Sequence, residues 1–200
     1  MGAKLRGQRG EPAVSEHRRA VGTAELPIPT DTVDLREGPK LHPALEPFVP
    51  LIGVWRGTGK GGYPTLADDF EYGQEVRFGH DGRPFLAYQA RSWLIGPDGA
   101  VIRPAAREVG WWRPGGGDGF EVLLAHPTGI VEMYLGSVRS TTQWELSTDV
   151  VARTATAKEV TANRRLYGIV EGDLLYAIDM AAVGQPLQPH LSARLTRVAG

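Results

Sequence analysis

The stretch Gly53-Val54-Trp55-Arg56-Gly57-Thr58-Gly59, followed by Gly61-Gly62-Tyr63-Pro64-Thr65, constrains the fold more than any other part of the chain. It reads as a β-strand that carries a large aromatic between glycines. Glycine weakens a strand interior, because it loses much backbone entropy and offers no side chain to pack. Glycines are retained there when the strand bends sharply or when something bulky lies against its backbone. A small closed barrel with a ligand pocket has both needs.

The rest of the chain reads as strand after strand. The expected strands are Ile52–Lys60, Phe70–Gly79, Phe85–Ile95, Arg107–Arg113, Phe120–Ala125, Ile130–Val138, Thr142–Thr148, Lys158–Val170, Leu174–Val183 and His190–Val198. Between them lie turn signals such as Asp81-Gly82, Asp98-Gly99 and Glu171-Gly172-Asp173, which suit tight antiparallel hairpins. The high usage of glycine (26) and proline (15) fits many short strands joined by such turns. An even-numbered up-and-down meander closes into a barrel, which removes exposed edges. The expected fold is therefore all-β: a ten-stranded antiparallel up-and-down β-barrel.

Residues 1–40 differ. Bases and acids are mixed there, apolar residues are sparse, and Pro12, Pro27, Pro29 and Pro39 break any periodicity. The segment reads as a mobile tail, with the domain running over 41–200. At the start of the domain, Leu45, Phe48 and Leu51/Ile52 recur at helical spacing. The prolines around them limit the helix to a turn or two, which can plug one end of the barrel.

A net charge of -1 argues against a nucleic-acid partner. The absence of cysteine excludes disulfides, thiolate haem ligation, Cys-based metal sites and covalent haem attachment. No apolar run is long enough for a membrane span, and no secretory signal is visible, so a soluble cytoplasmic protein is expected.

Alternation assigns some inward faces. Leu174, Tyr176, Ile178 and Met180 share one, as do Val122 and Leu124. On the eighth strand Val160, Ala162 and Leu166 share a face with Lys158. That lysine either snorkels out at the strand end or meets an anionic group of a ligand. No hydrolase motif or P-loop is present. Of the five histidines, His17 lies in the tail, and His42, His80 and His126 read as surface or turn residues. His190 differs, because it follows the Gly184-to-Pro189 bend that opens the last strand. Strict alternation with Leu191, Ala193 and Leu195 would point it outward. Either a bulge precedes Leu191, or His190 lies at the rim.

These residues resemble the nitrobindin family, in particular its actinobacterial peroxynitrite isomerases. The resemblance rests on Gly53-x-Trp55-x-Gly57-x-Gly59, Tyr63-Pro64-Thr65, Phe70-Glu71-Tyr72-x-x-Glu75-Val76 and Gly82-x-Pro84-Phe85-Leu86. It continues through Leu124-Ala125-His126-Pro127-x-Gly129, Thr156-Ala157-Lys158-Glu159-Val160-Thr161-Ala162 and Gly184-Gln185-Pro186-Leu187-Gln188-x-His190-Leu191. It implies a lipocalin-like and fatty-acid-binding-protein-like barrel that holds one non-covalent haem b per chain. His190 is then the axial iron ligand and the residue through which catalysis acts, with Thr65 and Lys158 as further haem contacts. The implied activity is isomerisation of peroxynitrite to nitrate at ferric iron, with nitric oxide as a second ligand. No nucleic-acid or membrane partner is implied, and a homodimer is left open. The alternatives are a non-catalytic nitric oxide sensor or carrier, and a lipocalin-like carrier of an apolar ligand.

Overall fold

The structure is a computed structural model that describes residues 27–117 and 119–200. A short 3-10 helix, Pro43–Leu51, leads into ten strands: β1 (Gly53–Gly61), β2 (Phe70–Gly79), β3 (Leu86–Ile95), β4 (Val101–Pro114), β5 (Gly119–His126), β6 (Ile130–Ser140), β7 (Gln143–Arg153), β8 (Val160–Val170), β9 (Asp173–Ala182) and β10 (Gln188–Ala199). Each strand pairs antiparallel with the next, and β1 pairs with β10 to close the barrel. The expected strands all form. β4 and β7 run further than expected, since Val101–Ala106 and Asp149–Arg153 continue their ladders.

The 3-10 helix plugs one end. Leu45, Phe48 and Leu51 are buried at the spacing the sequence implied. Pro47 and Pro50 lack N–H groups, so this helix leaves carbonyls in need of donors. The barrel supplies them: Trp144 Nε1 donates to Pro47 O (3.1 Å), Trp55 Nε1 to Leu51 O (2.8 Å) and Arg197 Nη2 to Pro50 O (2.7 Å). The Arg197 guanidinium also lies 4.2 Å from the centre of the Trp55 ring. Trp55 is thus a fully buried core residue that anchors the plug.

Of the expected tail, residues 1–26 lie outside the described residues. Thr32 is not detached from the barrel: it exchanges backbone hydrogen bonds with His80 (2.8 and 2.9 Å). His80 is therefore not a surface turn residue. It is 1% exposed, and neither ring nitrogen has a partner among the described residues.

The β1 glycines are needed for close approach. A Cβ on Gly57 would collide with the Arg194 carbonyl, and one on Gly59 with the Tyr72 ring and the Ser192 carbonyl. Phe70 and Leu191 fill the space beside Gly61. The bulky matter against these glycines is the barrel's own backbone and aromatics. Gly57→Ala must push β1 and β10 apart, and it is expected to cost about 1–3 kcal/mol. Urea unfolding measures this as a lower midpoint at unchanged slope.

Candidate functional site

His190 is the extra residue of a β-bulge. On β10, Pro189 faces Asp179 and Leu191 faces Ile178, so two steps along β10 oppose one along β9. Pro189 donates no hydrogen bond, which suits this break in the ladder. The bulge resolves the parity conflict: Ala193 and Leu195 point inward, and His190 is freed from the alternation.

Two hydrogen bonds aim the imidazole. Gly62 N–H donates to the His190 carbonyl (3.0 Å), and His190 Nδ1 lies 3.0 Å from the Gly62 carbonyl. A carbonyl only accepts, so Nδ1 carries the proton and Nε2 presents its lone pair. Tyr63 packs edge-on against the ring at 5.3 Å. Its hydroxyl accepts from Ala182 N–H (2.8 Å), which ties the β1–β2 connection to the end of β9. Burial lowers the His190 pKa from 6.5, only partly offset by the Gly62 bond, so the imidazole is neutral near pH 7.

His190 borders two spaces. One is an outer groove of about 880 Å³ along Lys60, Tyr63, Phe70 and Asp179. The other is a cavity of about 640 Å³ inside the barrel, lined by Tyr72, Tyr88, Glu108, Arg165, Tyr176 and other residues. That volume lies within the range of small-molecule and cofactor sites.

The other expected contacts lie at the periphery. Thr65 is exposed in the turn closed by Leu66 N–H to Tyr63 O (2.8 Å). Lys158 is exposed in the β7–β8 connection, before the strand expected to carry it. The inward face expected on that strand is also corrected. A register shift between Val160 and Ala162 reverses the alternation, so Asn163, Arg165 and Tyr167 point inward and Leu166 is 40% exposed.

Sequence reasoning missed the charged network this creates. Arg165, 3% exposed, holds Glu108 through both Nη groups (2.9 and 3.0 Å) and reaches Glu132 (3.2 Å). Its Nε donates to Tyr134 Oη (2.8 Å), which donates in turn to Glu132 (2.7 Å). Asn163 completes the coordination of Glu132, and Tyr88 donates to Glu108 (3.0 Å). His126, expected as a turn residue, lies 3.0 Å from Glu132 through Nε2. The signal was parity: His126 alternates with Val122 and Leu124, and Glu132 with Tyr134.

The family described as "THAP4-like, heme-binding beta-barrel domain" matches residues 44–197, from the 3-10 plug through β10. The chain belongs to this family, the nitrobindins. A peroxynitrite isomerase from Salinispora arenicola is 61% identical over 172 residues, 84% of this chain and 87% of that protein. A ferric nitrobindin-like protein from Saccharopolyspora erythraea is 48% identical, over 88% of this chain and 84% of that protein. The crystal structure of Rv2717c from M. tuberculosis superposes with a TM-score of 0.71 at 42% identity, covering 79% of this chain and 99% of that one.

The donor set of this nitrobindin fits haem. His190 presents a neutral, oriented Nε2 at the rim of a cavity of suitable volume. Among the described residues no three His, Cys, Asp or Glu side chains converge to hold a metal ion.

Burial alone would raise the Glu132 carboxyl, but His126, Arg165 and Tyr134 outweigh it and hold its pKa at about 2, against an ordinary 4.5. A depressed carboxylate stabilises the fold fully above its unfolded pKa. The contribution is lost as pH falls from about 4.5 towards about 2. It should amount to about 3 kcal/mol. Denaturant titrations between pH 6 and pH 2 measure it. Glu132→Gln should be less stable at pH 6 and show a flatter profile below pH 4.5.

Proposed function

We propose that this chain binds one non-covalent haem b through His190 Nε2 and isomerises peroxynitrite to nitrate. The observation that carries the reading is the His190–Gly62 pair. It fixes the tautomer that presents a lone pair to the rim and supplies the carbonyl that orients a metal-bound histidine. The relatives named peroxynitrite isomerase, at 61% and 60% identity, support the reaction. Bound there, a ferric haem supplies a coordination position for an oxygen of peroxynitrite and promotes its rearrangement, and the ferrous form binds nitric oxide.

The chain's own residues position and shelter. Gly62 and Tyr63 hold the imidazole, and the cavity walls limit access of water. Thr65 and Lys158, both exposed, would be further contacts of the cofactor, Lys158 as a cation for a propionate. Lys158 stands two residues before Val160, which shares an apolar cluster with Tyr63. No helix among the described residues is long and apolar enough to cross a membrane, and the reading places the protein in the cytoplasm.

The carrier alternative is disfavoured by a specific observation. A fatty-acid anion held deep in the barrel needs a buried cation for its carboxylate, and the buried Arg165 is already engaged by Glu108 and Glu132, whereas Arg103, the other arginine lining the cavity, is exposed. A nitric oxide carrier without catalysis differs only in turnover.

Stopped-flow mixing with peroxynitrite tests the proposal. Ferric holoprotein is expected to accelerate decay in proportion to its concentration and to give mainly nitrate. Equal acceleration by the apoprotein would overturn the haem-dependent reaction, and haem binding without acceleration would leave the nitric oxide carrier as the better reading.

A further inference from the structure

Positive charge gathers on the outer face of β1 to β4. Arg56, Glu75, Arg91 and Arg107 stand side by side across these four strands in register. Glu75 points outward, yet it is 2% exposed, because two arginines close over it. Arg56 holds its Oε2 through Nε (2.8 Å) and Nη2 (2.7 Å), and Arg91 holds its Oε1 through Nε (3.1 Å) and Nη2 (2.7 Å). Burial alone would raise the Glu75 carboxyl, but these bonds outweigh it and keep it below its ordinary range. Both carboxylate oxygens are spent on Arg56 and Arg91. The two guanidiniums are thereby fixed in direction while remaining 55% and 65% exposed.

Two further arginines receive nothing from Glu75. Arg107 stands directly opposite Arg91 on the neighbouring strand. Arg77 is the next outward residue of β2, opposite Gln89. Among the described residues the ion pairs of this face, Arg56–Glu75 and Arg91–Glu75, include neither of them. The adjoining row, Val54, Arg77, Gln89 and Val109, adds no acid. Four guanidiniums thus share one carboxylate, a local surplus of three positive charges on a chain whose net charge is -1. Like charges directly opposite across a ladder destabilise a sheet, a cost that a bound anion removes. A groove of about 350 Å³ opens at this point, lined by Glu75, Arg77, Gln89, Arg91 and Arg107.

We infer that this groove binds the oligophosphate chain of a small ligand, two or three phosphoryl groups long. Guanidinium forks meet phosphoryl oxygens in pairs, which suits arginine to this chemistry. Arg77, Arg91 and Arg107 lie on three consecutive strands, a span of roughly 10 Å. A lone carboxylate or phosphate cannot reach all three and leaves most of the surplus unmet. A chain of phosphoryl groups carries its charges a few ångströms apart and meets the forks in turn, and the Gln89 amide adds a donor between them. Glu75 pins two of the forks, and its own charge is covered by them. A nucleic-acid backbone needs a longer basic track. Here Val54 and Val109 bound the charged rows. The inference is independent of the haem reading, since the groove shares no charged side chain with the cavity that His190 borders.

Isothermal titration of the full-length protein with inorganic tripolyphosphate, and separately with ATP, tests it. One site per chain is expected, with an affinity that falls as salt rises. Arg77→Gln/Arg107→Gln removes the two guanidiniums outside the Glu75 pairs. It is expected to weaken binding more than about tenfold with circular dichroism unchanged. Arg139→Gln, at an arginine paired with Glu145 away from the groove, is expected to leave binding unchanged. Tripolyphosphate binding at least as tightly as ATP assigns the site to the phosphate chain itself, and tighter binding of ATP assigns it to a nucleotide. No binding of either probe at low salt would overturn the inference, as would binding of ATP without tripolyphosphate. So would an affinity that survives Arg77→Gln/Arg107→Gln in a folded protein, or one that Arg139→Gln lowers equally.

Discussion

The reciprocal hydrogen bonds between His190 and Gly62 bring the strand-closure problem and the site problem together. The barrel closes where β10 meets β1, and just past their last paired residues the bulge at His190 takes the imidazole out of the ladder. Gly62 answers with both backbone groups, N–H to the His190 carbonyl and C=O to Nδ1. The backbone bond fixes where the bulge sits, and the side-chain bond fixes which nitrogen faces the rim. Tyr63 completes the arrangement by packing on the ring while its hydroxyl holds the end of β9. Without this lock, the last strand would leave a histidine at the barrel mouth with neither tautomer nor direction defined.

A second constraint acts deeper inside. The buried charge in the interior wall is internally engaged: Arg165 between Glu108 and Glu132, and Glu132 further bound by His126, Tyr134 and Asn163. Buried ions are tolerated when each is met by partners of good geometry, and removing one partner typically costs about 3–5 kcal/mol. Burial opposes the Arg165 charge, and the two carboxylates help restore it. Among the described residues the buried cation of the interior wall, Arg165, is committed to Glu108 and Glu132, while Arg103 lines the cavity at its exposed side.

The fold was legible because its signals are local and repeated. Asp-Gly turns and period-two alternation marked the strands, and Leu45, Phe48 and Leu51 marked the plug. His190 stood out only as a parity conflict, and the bulge at Pro189/Leu191 is the physical form of that conflict. The same device misled on β8. There a register shift after Val160 turns Asn163 and Arg165 inward and Leu166 outward, and Lys158 precedes the strand, which starts at Val160. A bulge is a one-residue event with no fixed sequence signature, so alternation read across it inverts. His80 and His126 failed for a different reason: turn-like neighbours hid their partners, Thr32 from the segment before the barrel for one and Glu132 across the β5–β6 hairpin for the other. The glycines of β1 were rightly read as crowded, although what crowds them is the barrel's own backbone and aromatic rings.

Haem titration of His190→Ala measures most directly whether His190 holds the iron, as proposed. The variant is expected to keep the barrel's circular dichroism and to lose stoichiometric haem uptake with the wild-type Soret band. A folded His190→Ala protein that takes up one haem per chain with an unaltered spectrum would contradict it.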